Sequence, residues 1–128
     1  MDAGGRSEVS AAGIRKFIEA VAMKANREEE TKKAMRYWVG RYHGKIIQFE
    51  TDPENFYLVV QDGRMEVRAG INPSPDLTVR APSGVITDVF TGRRRFGEAM
   101  KSWDLVLIGA GHEAFHLARL IMAVILAA

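Results

Sequence analysis

Apolar residues at Ile14, Phe17, Ile18, Val21 and Ala22 recur at helical spacing, with Arg15, Lys16, Glu19 and Lys24 between them, which predicts an amphipathic helix. Residues 1–13 are assigned to a flexible N-terminus and 14–128 to one domain. In NREEETKKAMRYWVGRYHG the acids come early and the bases late, as a helix dipole favours. A second helix is therefore expected to end at Gly40 or Gly44, with Met35, Trp38 and Tyr42 on its apolar side.

At Lys45 the period changes to two. KIIQFE, FYLVVQ, RMEVRA and DLTVRA are short runs rich in β-branched and aromatic residues, bounded by the turn sequences DPEN, DG and NPSP. Asp62-Gly63 is the strongest hairpin signal, because both residues tolerate the positive φ of a tight turn. In RMEVRA, Met65, Val67 and Ala69 oppose Arg64, Glu66 and Arg68; in DLTVRA, Leu77, Val79 and Ala81 oppose Asp76, Thr78 and Arg80. This predicts an antiparallel sheet with one covered face and one polar face. Beyond Pro82 the helical period returns in Val85, Ile86, Val89 and Phe90, with Ser83 as the expected cap and Thr91-Gly92 as the stop. Phe96, Ala99, Met100 and Trp103 suggest a short helix. Leu105 to Ile108, apolar at every position, reads as a strand covered on both faces or lying centrally in the sheet. A last helix is expected from about His112 onward. Its end, LIMAVILAA, is about half the length needed to span a bilayer.

Composition narrows the functional classes. With 128 residues, 47% of them hydrophobic and 27% charged, the chain reads as a single soluble domain. The absence of cysteine excludes disulfides, thiolate zinc sites and cysteine nucleophiles. A net charge of +2, with bases interleaved among acids such as Glu28, Glu29 and Glu30, argues against nucleic acid as a main partner. MDAGGRSEVSAAG contains no apolar signal core, and the chain ends in Leu126-Ala127-Ala128 rather than a peroxisomal S-K-L. A bacterial or archaeal cytoplasmic protein is the expectation.

GAGHEAFHLAR, residues 109–119, carries two chemical spellings at once. His112-Glu113-Ala114-Phe115-His116 is H-E-x-x-H, and Gly109-x-Gly111-x-x-Ala114 after an apolar run imitates a dinucleotide turn. A catalytic zinc needs a third ligand. The known patterns place it downstream, where Arg119 here replaces the glycine and Met122 the histidine. On a helix, His112, His116 and Arg119 fall within roughly 60° of one another, opposite Ala114, Leu117, Ala118, Ile121 and Ile125. The histidines are thus expected on a solvated stripe beside a fixed cation, which opposes metal binding. The nucleotide reading lacks the second strand and its ribose-binding acid. No catalytic triad, spaced acid pair or phosphate loop accompanies either spelling, so an enzyme, a metal centre and a cofactor site are not expected.

QFE (48–50), NFYLVVQDGRMEV (55–67), PDLTVRAP (75–82), VITDVFTG (85–92), FGEAM (96–100) and LVLIGAGHEAFHL (105–117) together resemble the sterol carrier protein family. The resemblance implies an α+β fold: a five-stranded mixed, mostly antiparallel sheet of order 3-2-1-4-5, covered on one face by helices that enclose an apolar tunnel. It implies non-catalytic binding and transfer of a fatty acyl, sterol-like or isoprenoid lipid. The large, soft side chains suited to line such a space are Phe49, Leu58, Phe90, Phe96, Met100, Trp103, Phe115 and Met122. Trp103 stands where the family commonly has glycine before the last strand, and is expected to reshape the ligand space. Arg93, Arg94 and Arg95 are candidates for transient contact with an anionic membrane. The alternative is an interaction or dimerisation subunit, such as a homodimer, with a filled core and no ligand.

Overall fold

The alternating runs form the strands expected of them in the computed structural model, which describes residues 2–51 and 54–127, and the side chains of 13–51 and 54–125. Strands β1 (Lys45–Glu50), β2 (Phe56–Gln61) and β3 (Arg64–Ala69) coincide with KIIQFE, FYLVVQ and RMEVRA. Asp62 and Gly63, with φ of 55° and 71°, make the two-residue turn between β2 and β3. The DPEN turn falls partly on residues 52 and 53, outside the described residues.

Strand β4 (Leu77–Arg80) runs parallel to β1, and β5 (Val106–Gly109) runs antiparallel to β4, giving the order β3-β2-β1-β4-β5. On one face Phe56, Leu58, Val60, Ile47, Phe49, Leu77 and Val79 are all fully buried. The opposite face carries Arg64, Glu66, Gln61, Glu50 and Arg80. Gln48 is buried on it and holds the strands together: its Nε2 donates to the Phe56 and Gly70 carbonyls, and its Oε1 accepts from the Asn72 N–H.

Helices cover the apolar face. Helix α1 (Asp2–Ala25) contributes Ile14, Ile18, Val21 and Ala22 to the core and packs against β3, α3 (Ser83–Phe90) and α5 (Glu113–Ala127). The expectation of a flexible 1–13 falls almost wholly on side chains outside those described. Just past α1, Asn26 pairs with the exposed edge of β3. Its amide donates to the Met65 carbonyl at 2.9 Å and accepts the Met65 N–H at 2.8 Å, which occupies one rung of an otherwise open ladder.

Four local expectations are corrected. Helix α2 (Glu29–Val39) stops at Gly40, so Tyr42 lies beyond its apolar side and is 70% exposed. The position preceding α3 is Pro82, and Ser83 lies inside the helix, because proline's fixed φ suits helix entry. Trp103 projects 79% exposed rather than into the interior, since its φ of 62° turns the chain out at the end of α4 (Phe96–Lys101). Strand β5 lies at the sheet edge rather than its centre: Leu105, just before it, is buried, Val106 and Leu107 are half-buried, and Ile108 is exposed. After β5, Gly109 has φ 106°, and a Cβ there would stand 2.8 Å from the Asp76 carbonyl oxygen. That close approach, rather than a phosphate, accounts for the first glycine of GAG.

Candidate functional site

Five phenyl rings run in series from the centre of the core to the surface. Phe49 and Phe56 are register partners on β1 and β2, and their rings stack with centroids 4.8 Å apart. Phe90, the last residue of α3, meets Phe49 edge-on at 6.3 Å. A turn through Gly92 then brings Phe96, the first residue of α4, edge-on to Phe90 at 5.6 Å. Phe115, in the first turn of α5, lies 6.2 Å from Phe96. These separations are those at which aromatic quadrupoles attract. Exposure climbs along the series from 0% at Phe56 and Phe49 and 1% at Phe90 to 65% at Phe115.

Of the eight expected lining residues, Phe49, Phe90, Phe96 and Phe115 are thus joined in one path. Leu58 is fully buried on the covered face of β2, Met122 is half-buried on α5, and Met100 is 41% exposed on α4. Trp103 stands apart, bordering a shallow cleft with Glu50 and Arg80. Ile47, Phe49, Phe56, Leu58, Leu77, Val79 and Ile86 are each 0% exposed, so at these residues the space between sheet and helices is filled by side chains.

The α3–α4 turn and the end of α4 carry the arginine triplet and its anchors. Arg94 donates to Asp104 Oδ2 at 2.7 Å and to the Ser102 hydroxyl at 2.8 Å. Hydrogen bonds from Arg94 and then Ser102 hold the Asp104 carboxyl below the usual carboxylate range. Arg93 lies 3.9 Å from Asp88. Arg95 is exposed and makes no ion pair among the described residues.

The H-E-x-x-H spelling serves a different purpose. Glu113, 2% exposed, takes the Trp38 indole N–H on Oε1 at 3.1 Å, and its Oε2 faces the Lys45 ammonium at 2.6 Å. The Tyr42 ring lies 4.3 Å from the same ammonium. His116 stacks on Trp38 at 5.8 Å, while His112 projects outward. Among the described residues no three His, Asp or Glu side chains converge on a metal position. Beside this cluster, α2 and α5 bound a cavity of about 490 Å³, floored by Thr31, Trp38 and Leu120 and rimmed by Lys33, Tyr37 and Arg119. None of the eight expected lining residues borders it. Composition and periodicity gave no pointer to the cavity; the only sequence signals nearby were the histidine motif and Trp38.

Residues 22–121 match the model of the SCP-2 sterol transfer family. No curated relative matches the chain. Among solved structures, the chain is similar to "UbiJ-SCP2 Ubiquinone synthesis protein", with TM-score 0.67 and 18% identity, covering 92% of this chain and 97% of that one. It is similar to apo sterol carrier protein 2 from Yarrowia lipolytica, with TM-score 0.62 and 15% identity over 81% of this chain and 86% of that one. Palmitated SCP2L2 from Aedes aegypti gives TM-score 0.53 and 20% identity over 82% and 90%. These likenesses show a shared fold.

Proposed function

Because the chain belongs to the SCP-2 sterol transfer family, we propose that it binds an apolar ligand without catalysis, admitting the ligand's alkyl part between α4 and α5 along the phenyl series. The observation that supports this reading is the unbroken run of rings from exposed Phe115 to buried Phe56. Flat rings held only by packing can turn aside one at a time, and each offers an apolar face to a chain that takes its neighbour's place. Such a path opens a tunnel in a seam that is otherwise filled. An alkyl chain losing about 300 Å² of apolar surface gains roughly 7–8 kcal/mol, close to the roughly 8 kcal/mol of a micromolar complex. Opening the seam costs part of that gain. The ligand class is fatty acyl, sterol-like or isoprenoid, and palmitate on the Aedes aegypti relative favours the acyl member.

Micromolar palmitate is expected to displace a bound fluorescent fatty acid. Phe115→Asp, at an exposed position, is expected to weaken binding at least tenfold while leaving the unfolding midpoint unchanged. The rival reading, an interaction or dimerisation subunit, draws support from the zero exposure of the sheet-facing residues. Absence of binding up to the solubility limit would favour it.

Loading from a membrane fits the same mouth. Arg93 and Arg95 lie just before α4; Arg95 makes no ion pair among the described residues and Arg93 only a long, exposed one to Asp88, whereas Arg94 is engaged by Asp104 at 2.7 Å. Each basic residue near an anionic surface contributes about 1 kcal/mol. The protein is expected to sediment with anionic vesicles more than with neutral ones, and Arg93→Ala/Arg95→Ala to abolish the difference. Equal sedimentation with both vesicle types would remove this role. No described helix is long and apolar enough to cross a membrane.

A further inference from the structure

The cavity between α2 and α5 lies outside the seam between sheet and helices, and the proposed lipid path makes no use of it. Its shape follows from small residues: Ala34 on α2 and Ala123 on α5 are both exposed and border it, where a longer side chain on either helix would fill the space. Its floor is fixed. Trp38 is 6% exposed, held by its N–H bond to Glu113 and by the ring of His116, so an apolar guest meets a surface already in place.

Charge on the rim decides what that guest is. Lys33 and Arg119 border the cavity with Glu30 as the sole acid, and among the described residues neither cation has a carboxylate within ion-pair reach. A guanidinium and an ammonium offer charge-assisted hydrogen bonds to an oxyanion. The volume, about 490 Å³, lies within the range of small-molecule sites. We propose that this groove is a second binding site, taking a small amphiphile with one oxyanion head, its alkyl body over Ala34, Leu120 and Ala123 and its head between Arg119 and Lys33.

The sequence contains two tryptophans, so Trp103→Phe leaves Trp38 as the reporter at the groove floor. In that protein, decanoate and decyl phosphate are expected to change Trp38 emission saturably, and decanol at least tenfold more weakly. Arg119→Ala should cut decanoate affinity at least tenfold. Ala123→Phe, at an exposed position, should abolish the response without shifting the unfolding midpoint. Phe115→Asp should leave the response intact, which separates this site from the phenyl path. Tighter binding of decyl phosphate than of decanoate supports a phosphate-headed lipid, and the reverse order a free acid. Decanol binding as tightly as decanoate, or an Ala123→Phe protein that responds normally, overturns the proposal. So does a dimer in size-exclusion chromatography that Ala123→Phe dissociates, since the groove would then belong to a second copy of the chain.

Discussion

Lys45→Ala is expected to lower the free energy of unfolding by about 3–5 kcal/mol, the usual cost of stranding one member of a buried ion pair. Glu113 is 2% exposed, and the Lys45 side chain only 11%. Without the ammonium, the Glu113 carboxylate keeps one strong donor, the Trp38 indole N–H. Removing the other partner has a milder result. Glu113→Gln retains an acceptor for Trp38, and Lys45 keeps the Tyr42 ring and a partial route to water, so a loss of about 1–3 kcal/mol is expected. Lys45→Met combined with Glu113→Leu should recover only part of the loss, because apolar replacement of both partners removes the desolvation cost but leaves the buried Trp38 N–H without its acceptor. Urea unfolding at neutral pH measures all three. A Lys45→Ala loss below about 1 kcal/mol would place the pair among ordinary surface salt bridges.

Phe90→Ala has an effect of similar size and a functional consequence. Truncating a buried phenylalanine costs about 3–5 kcal/mol, part of it for the cavity left behind. Phe90 is the central ring of the series, in contact with both Phe49 and Phe96. The variant therefore opens a hollow at the point where the alkyl chain is proposed to lie. A ligand that binds only the folded state stabilises it by about 2.7 kcal/mol at a hundredfold excess over Kd. Palmitate is accordingly expected to raise the unfolding midpoint of Phe90→Ala more than that of the parent protein, restoring much of the loss. An equal or smaller rise would show that the acyl chain does not occupy the space the ring vacates.

The three strands of the meander were legible to the residue, because alternation and turn chemistry are both local properties. The hairpin at Asp62-Gly63 is the clearest case. Edge position was not legible from periodicity, since Leu105 to Ile108 is apolar whether a strand is central or peripheral; only the family resemblance supplied the strand order. The histidine motif divides in the same way. Helical spacing placed His112, His116 and Arg119 on a stripe opposite Ala114, Leu117 and Ile121, and those three are buried as expected. That spacing left unseen the burial of Glu113, which depends on Lys45 and Trp38 from distant parts of the chain. The phenylalanines were picked out by size and softness, but their order in space arises only once α3, α4 and α5 are packed together. The α2–α5 groove left no trace in the pattern, because alanines such as Ala34 and Ala123 signal nothing until two helices bring them together.

The most direct measurement of the lipid path is a set of nuclear Overhauser contacts between carbon-13-labelled palmitate and the protein's aromatic rings. Ligand entry along the phenyl series predicts contacts from the methylenes to Phe96, Phe90 and Phe49, with Phe115 nearest the mouth. Contacts confined to Trp38 and His116, or none to any phenylalanine of the series, would contradict it.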